Sequence, residues 1–184
     1  ETMKQYNDDI FELYLDPAAE HQIKLRLKNF TSPTSGNIDM TSMTADEAQL
    51  TIHAALAAGF TELKLMGELS KIGMGGSWGS FINNKQITKC DLTGVTGWGT
   101  TPTLPDVAFA NCTALQEVTL PDDMKVIGGS AFSGCAALTT VNLSQVTRIN
   151  LSAFWGCTSL ETLALDNVTA IGQEAFYECT GLET

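Results

Sequence analysis

Few residues of this chain have the types and spacing that catalysis requires. The two histidines, His21 and His53, lie in no recognisable acid-base or metal-ligand spacing. Glycines between Gly73 and Gly79 interrupt a repeated pattern, whereas a dinucleotide site needs glycines that lead from a strand straight into a helix. We therefore predict no enzyme activity, no cofactor and no metal site.

The five cysteines are the other residues with chemical potential. Four of them occupy the same place in a repeated Phe-x-x-Cys-x-x-Leu pattern, at Phe109/Cys112/Leu115, Phe132/Cys135/Leu138, Phe154/Cys157/Leu160 and Phe176/Cys179/Leu182. Neighbouring rungs lie about 4.8 Å apart, but equivalent side chains point in parallel directions, which disfavours disulfides. Thiols on separate rungs do not form a zinc tetrahedron. We expect a column of buried, unpaired thiols, because free cysteine packs as a small hydrophobe.

The elements that position these residues repeat at a fixed interval. The leucines of the pattern are separated by 23, 22 and 22 residues, a period typical of a solenoid. After each leucine, alternating apolar residues predict a short strand, at Val118/Leu120, Val141/Leu143 and Leu163/Leu165. One unit cannot bury its own apolar face, so the units are expected to stack.

The pattern Leu-x-x-Val-x-Leu, followed by Ile-Gly-x-x-Ala-Phe-x-x-Cys-x-x-Leu, resembles the BspA-type leucine-rich repeat. The resemblance covers residues 105–184 well and 60–100 loosely. It implies an α/β fold, a right-handed leucine-rich-repeat solenoid with one short parallel strand per repeat. It also implies a bacterial cell-surface or secreted protein concerned with adhesion.

The N-terminal part departs from the regular repeat. Alternation at Ile23, Leu25 and Leu27 predicts a strand of the array, and 30–43 is rich in loop-forming residues. Thr44 lies three residues before Glu47, as in a capping box, and predicts a helix that ends at Gly59. We predict a helix-containing cap over 1–59, then repeats over 60–184 that are irregular to about 104, regular from 105 and incomplete at the last unit.

Composition excludes several classes of partner. The net charge of −11 disfavours nucleic acid and anionic membrane, which both require a basic face. No run of apolar residues is long enough to span a bilayer, and no signal segment is recognisable at Glu1, so we expect a mature form or a chain without one. Apolar residues make up 43% of the chain, which favours a folded core over disorder.

The outward positions of the predicted strands form a candidate binding surface. Solenoids commonly bind through such extended faces, and exposed tryptophan favours interfaces. The candidate binding residues are Lys24, Arg26, Glu62, Lys64, Lys89, Asp91, Glu117, Trp78, Trp98 and Trp155. Two simpler interpretations stay open: the strand residues keep the sheet soluble, and the Trp78 and Trp98 loops pack against the array.

The resemblance to the BspA-type family implies a non-catalytic cell-surface or secreted protein that mediates adhesion or binds another protein, such as a host or matrix protein. A structural spacer within a larger surface protein is one alternative. A glycan-binding accessory that uses the tryptophan-bearing loops is another. The final unit stops where its strand should begin, so the C-terminal edge is expected to pair with further repeats or with another subunit.

Overall fold

The computed structural model describes residues 11–15, 23–27, 35–74 and 81–183, and the chain divides into two compact units, 1–32 and 33–184. The elements in chain order are β1 Phe11–Leu15, β2 Ile23–Leu27, β3 Asn37–Asp39, α1 Ala45–Ala57, β4 Glu62–Glu68, α2 Leu69–Ile72, β5 Lys89–Thr96, β6 Thr103–Leu104, β7 Glu117–Thr119, β8 Val126–Ile127, β9 Thr140–Val141, β10 Arg148–Ile149 and β11 Ala170–Ile171.

The first unit contains strands β1 and β2, which pair antiparallel with Leu13 opposite Leu25. The prediction that the Leu25 strand belongs to the repeat array is therefore wrong. Alternation with a period of two fits a strand in any sheet, so it identified the strand correctly but could not identify its partner.

The second unit contains a five-stranded parallel sheet in the order β3-β4-β5-β7-β9, which we call the first sheet. Its register aligns Leu63 with Cys90, Cys90 with Val118, and Val118 with Val141. These alignments confirm the strands predicted at Val118 and Val141 and extend the same register back to Leu63 and Cys90. The edge strand β3 lies in a segment predicted to be loop, and that part of the prediction is wrong.

Helix α1 follows β3, and its start and end agree with the prediction. The Thr44 side chain accepts a hydrogen bond from the Glu47 amide at 3.3 Å, and the Glu47 carboxylate accepts one from the Thr44 amide at 2.8 Å. The helix ends before Gly59, whose φ of 91° is one that glycine adopts readily. Its buried face, which includes Ile52 and Leu56, packs into the core of the second unit. The predicted boundary of a cap at residue 59 stays a prediction.

A second parallel sheet of four short strands has the order β6-β8-β10-β11. Its register places Leu104, Ile127, Ile149 and Ile171 in one column. The first three of these side chains are fully buried, whereas Ile171 is 55% exposed. The core therefore lies between the two sheets and is less covered at the last unit.

A column of stacked phenylalanines runs along the repeats from Phe81 onward. Successive ring centroids are 5.2, 5.6, 5.1 and 5.4 Å apart, and the rings are nearly parallel. The phenylalanine column consists of Phe81, Phe109, Phe132, Phe154 and Phe176. Stacked aromatic pairs contribute about 0.5–1.5 kcal/mol each beyond their buried area, so the column links every unit to the next.

The cysteines run beside this column, and the prediction of buried, unpaired thiols is confirmed. Four of the five thiols, all except Cys90, donate a hydrogen bond to the carbonyl oxygen of the phenylalanine in the preceding unit. The pairs are Cys112 to Phe81 at 2.8 Å, Cys135 to Phe109 at 3.0 Å, Cys157 to Phe132 at 3.2 Å and Cys179 to Phe154 at 3.0 Å. Burial raises the pKa of Cys112 to about 12, so this thiol is neutral at physiological pH.

The first sheet ends at β9, and the last unit contributes no strand to it. Residues 161–165 form no strand, although their alternation predicts one. Leu163 and Leu165 nevertheless lie half-buried against the core, as inward strand positions would. The apolar pattern therefore fixed which side chains face inward, but not the hydrogen bonding of the backbone.

Candidate interaction surface

Outward side chains of β4, β5 and β7 form one charged face on the first sheet. The parallel register aligns Glu62 with Lys89 and Lys89 with Glu117, and it places Lys64 beside Asp91 in the next row. We call this surface the charged face; it consists of Glu62, Lys64, Lys89, Asp91 and Glu117. The structure thus brings together five of the ten predicted binding residues.

Two ion pairs cross between β4 and β5 in opposite directions. Lys64 on β4 contacts Asp91 on β5 at 3.0 Å, and Glu62 on β4 contacts Lys89 on β5 at 3.4 Å. All four side chains are partly exposed, so each pair contributes only about 0–1 kcal/mol to stability. Their main effect is to fix a pattern of alternating charge on the sheet.

Asp91 is held in its ionised form. Partial burial opposes ionisation, but hydrogen bonds from Thr93 and the neighbouring Lys64 ammonium outweigh it and lower the pKa of Asp91. The Thr93 amide and hydroxyl both donate to Asp91 Oδ1, at 2.9 and 2.6 Å. The carboxylate is therefore fixed in position and keeps its charge below the ordinary pKa of an aspartate.

The charged face forms the floor of a shallow groove that extends from β3 to β7. The segment 35–37 bounds one end, and Glu117 and Thr119 bound the other. Gly36 is required at this rim, because a Cβ there would collide with the backbone carbonyl oxygen of Glu62. Its own carbonyl oxygen accepts a hydrogen bond from the Lys64 amide at 2.9 Å, which holds the rim against β4.

Beyond β7 the surface becomes neutral. Asn142, which follows β9, donates to the Leu120 carbonyl oxygen at 3.0 Å and accepts from the Leu120 amide at 2.7 Å. The side chain thus joins adjacent units.

Lys24 and Arg26 lie on β2, in the first compact unit, where they pair in register with Tyr14 and Glu12 of β1. They are not part of the first sheet of the repeat unit. The expectation that they extend the outward face of the array is therefore wrong, because alternation identifies a strand but not the sheet to which it belongs.

The three tryptophans have different environments. Trp78 lies outside the described residues. Trp98 is 8% exposed, and its indole nitrogen donates to the Val95 carbonyl oxygen at 2.7 Å, so it lacks the exposed ring that binding would need. Trp155 is 43% exposed and lies against Tyr177 of the next unit.

Two features were missed at the sequence level. Phe81 begins the phenylalanine column. Its unit carries Asn84 and Ile87 where the later units carry cysteine and leucine, so it does not match the Phe-x-x-Cys-x-x-Leu motif. Asn84 Oδ1 instead accepts hydrogen bonds from the amides of Gln86 and Ile87, both at 2.8 Å.

The second missed feature is Tyr177. The sequence contains a signal for it, since Tyr177 follows Phe176 as Trp155 follows Phe154.

Within the ranges that the structure describes, no three or more His, Cys, Asp or Glu side chains are grouped so that they could hold a metal ion. His53 is exposed on α1. Among the described helices, none is both long and apolar enough to cross a bilayer.

Two parallel sheets, one phenylalanine per turn and a buried cysteine beside it define a leucine-rich-repeat solenoid. The family model for the BspA type leucine rich repeat region matches residues 80–184 in 6 copies, more than half of the chain. The chain therefore belongs to this family. The match begins one residue before Phe81, in agreement with the start of the phenylalanine column.

Solved structures similar to this chain include a leucine rich repeat protein of T. pallidum, with 24% identity, a TM-score of 0.42, and coverage of 54% of this chain and 57% of that one. A leucine rich cell surface protein of Faecalibacterium prausnitzii has 20% identity and a TM-score of 0.41, with coverage of 97% of this chain and 53% of that one. The chain thus spans little more than half the length of either protein. A search of curated proteins gives no match.

Proposed function

We propose that this chain is a non-catalytic, cell-surface or secreted leucine-rich-repeat protein that binds another protein through the charged face. The observation that carries the proposal is the pair of crossed ion pairs, Lys64 with Asp91 and Lys89 with Glu62, on the floor of an open groove. The surface or secreted location rests on the resemblance to the BspA-type family.

A pattern of fixed charges contributes specificity more than affinity. Like charges brought together cost several kcal/mol, so a partner with the complementary pattern is selected over others. Because Asp91 is fixed by Thr93 and Lys64, little side-chain ordering is needed when a partner binds. The partner is expected to be a host or matrix protein that carries both acidic and basic side chains.

The proposal is tested by binding of the full chain to an array of extracellular matrix proteins and glycans. In one variant, Lys64→Asp/Asp91→Lys, the ion pair is kept but its direction is reversed. Binding to the partner protein should fall about tenfold or more, because each reversed charge meets its like charge. The matched control is Asp123→Lys/Lys125→Asp, which exchanges charges in the turn between β7 and β8 at unchanged net charge.

Equal binding by both swapped variants would contradict the role of the charged face. Failure to bind any protein on the array would favour the spacer alternative. Selective binding of glycans would favour the glycan-binding accessory.

A further inference from the structure

An exposed aromatic pair lies on the turn side of the repeats, apart from the charged face. Trp155 and Tyr177 each directly follow a phenylalanine of the column, and their ring centroids are 6.4 Å apart at an angle of 46°. They are 43% and 57% exposed. We call them the aromatic pair. The same position holds the small residues Ala110 and Ser133 in earlier units.

The turns beneath the rings are fixed by hydrogen bonds. The Trp155 amide donates to the backbone carbonyl oxygen of Ser152 at 3.1 Å, and the Tyr177 amide donates to the backbone carbonyl oxygen of Glu174 at 3.1 Å. A third bond, from Gly156 to the Tyr177 carbonyl oxygen at 2.8 Å, joins the two turns. Rigid exposed aromatics lose little entropy on binding, and tryptophan and tyrosine are the residues that most often dominate interface energies.

The sequence around the pair is acidic. After Arg148 on β10, the chain contains five acidic residues and no lysine, arginine or histidine. Glu174 and Glu178 lie three residues before and one residue after Tyr177, and both are exposed. This region differs from the charged face, where acids and bases are paired with one another.

Both glutamates also have an unfavourable backbone conformation. Glu174 has a φ of 54° and Glu178 a φ of 59°, in the left-handed region that favours glycine. The position equivalent to Glu178 holds Gly134 and Gly156 in the two preceding units, with φ values of 74° and 72°. Backbone geometry therefore does not explain why glutamate occurs at this position.

We propose that the aromatic pair, with Glu174 and Glu178, binds an arginine-bearing segment of a partner protein, as a second interaction surface beyond the charged face. A guanidinium group stacks on tryptophan or tyrosine through cation–π attraction. It also forms paired hydrogen bonds with a carboxylate. Trp155 and Tyr177 supply the rings, and the exposed glutamates at 174 and 178, close to Tyr177 in the chain, supply the carboxylates.

A neutral sugar is the other ligand that stacks on aromatic rings. It would gain nothing from the charge of the two exposed glutamates, which would be incidental to its binding. The local charge therefore favours the basic segment, and the sugar becomes an outcome of the test.

The test follows the three tryptophan indole N–H resonances of the full chain by NMR. The Trp155 resonance is assigned by its loss in Trp155→Phe. A synthetic peptide with two arginines is titrated in, beside the same peptide with glutamine in place of arginine and beside a neutral oligosaccharide. The Trp155 resonance should shift with the arginine peptide alone, and the shift should weaken at high salt.

Substitutions then separate local contacts from overall charge. Glu174→Gln/Glu178→Gln should weaken binding of the arginine peptide about fivefold or more, since each carboxylate forms a charge-assisted contact. Tyr177→Ala should weaken it about two- to fivefold through loss of one cation–π contact. The control Glu161→Gln removes an exposed acid of the same region and should leave binding nearly unchanged.

Three results would overturn the proposal. One is a Trp155 resonance that the arginine peptide does not move. Another is equal weakening by Glu161→Gln and by Glu174→Gln or Glu178→Gln, each made as a single substitution, which would show nonspecific charge attraction. The third is a shift with the oligosaccharide but not with the arginine peptide, which would assign the aromatic pair to glycan binding.

Discussion

The Cys135 thiol donates a hydrogen bond of 3.0 Å to the backbone carbonyl oxygen of Phe109, in the preceding unit of the array. Both residues are fully buried. The same bond recurs between three other pairs of units, so the cysteine column is part of the backbone connection between repeats as well as part of the core.

Cys135→Ala should therefore lower the free energy of unfolding by about 1–3 kcal/mol, because it removes the sulfur from the core and takes a hydrogen-bond donor away from a buried carbonyl group. Cys135→Ser keeps a donor and should cost less. Chemical denaturation measures both values. Equal costs for the alanine and serine variants would show that the hydrogen bond does not contribute.

The buried thiols also predict a dependence of stability on alkaline pH. Folding raises the pKa of Cys112 from 9.0 to about 12 through burial. The unfolded chain loses this proton as the pH rises above 9, while the folded chain keeps it, so stability falls between the two values. The slope is at most about 1.4 kcal/mol per pH unit for one thiol. Denaturation across this range should show the decline, and Cys112→Ala should reduce its slope.

The phenylalanine column predicts a large effect at its centre. Phe132 is fully buried and stacks on Phe109 and Phe154 at 5.6 and 5.1 Å. Phe132→Ala should lower the free energy of unfolding by about 3–5 kcal/mol through cavity formation. Tyr177→Ala is the matched control, because it removes an exposed ring and should cost much less. Similar losses in the two variants would contradict the stacked column as the core of the array.

Substitutions in the charged face should have little effect on the stability of the chain. Lys64→Met removes one partner of a partly exposed ion pair and should change the free energy of unfolding by less than about 1 kcal/mol. Thermal unfolding of this variant beside the unmodified chain measures the change. A loss of several kcal/mol would show that the ion pair is mainly structural, and would weaken the argument that it serves recognition.

Much of the repeat region could be predicted from the sequence, because each local signal agreed with the long-range period. The intervals between units placed Val118 and Val141 in one register, and the sheet confirms it. The capping box of Thr44 and Glu47 specified the start of α1, because that signal is local and its hydrogen bonds lie within the helix.

The parts that could not be predicted depend on tertiary partners. Nothing in the alternation around Leu25 distinguishes an antiparallel partner from the repeat sheet. The true edge strand, around Ile38, is only three residues long and lies among glycine, asparagine and aspartate, which usually form loops. Trp98 is buried because its loop turns the indole inward onto the Val95 carbonyl group, a direction that spacing does not specify.

The most direct test of the proposed function maps where a partner protein touches the chain. Amide hydrogen exchange would be compared for the free chain and for its complex with a protein identified on the matrix array. A partner that binds only through the charged face should add protection in β4, β5 and β7 and along the 35–37 rim, and should leave the turns from 150 to 183 unchanged. Unaltered exchange in β4, β5 and β7 despite tight binding would contradict the proposed function.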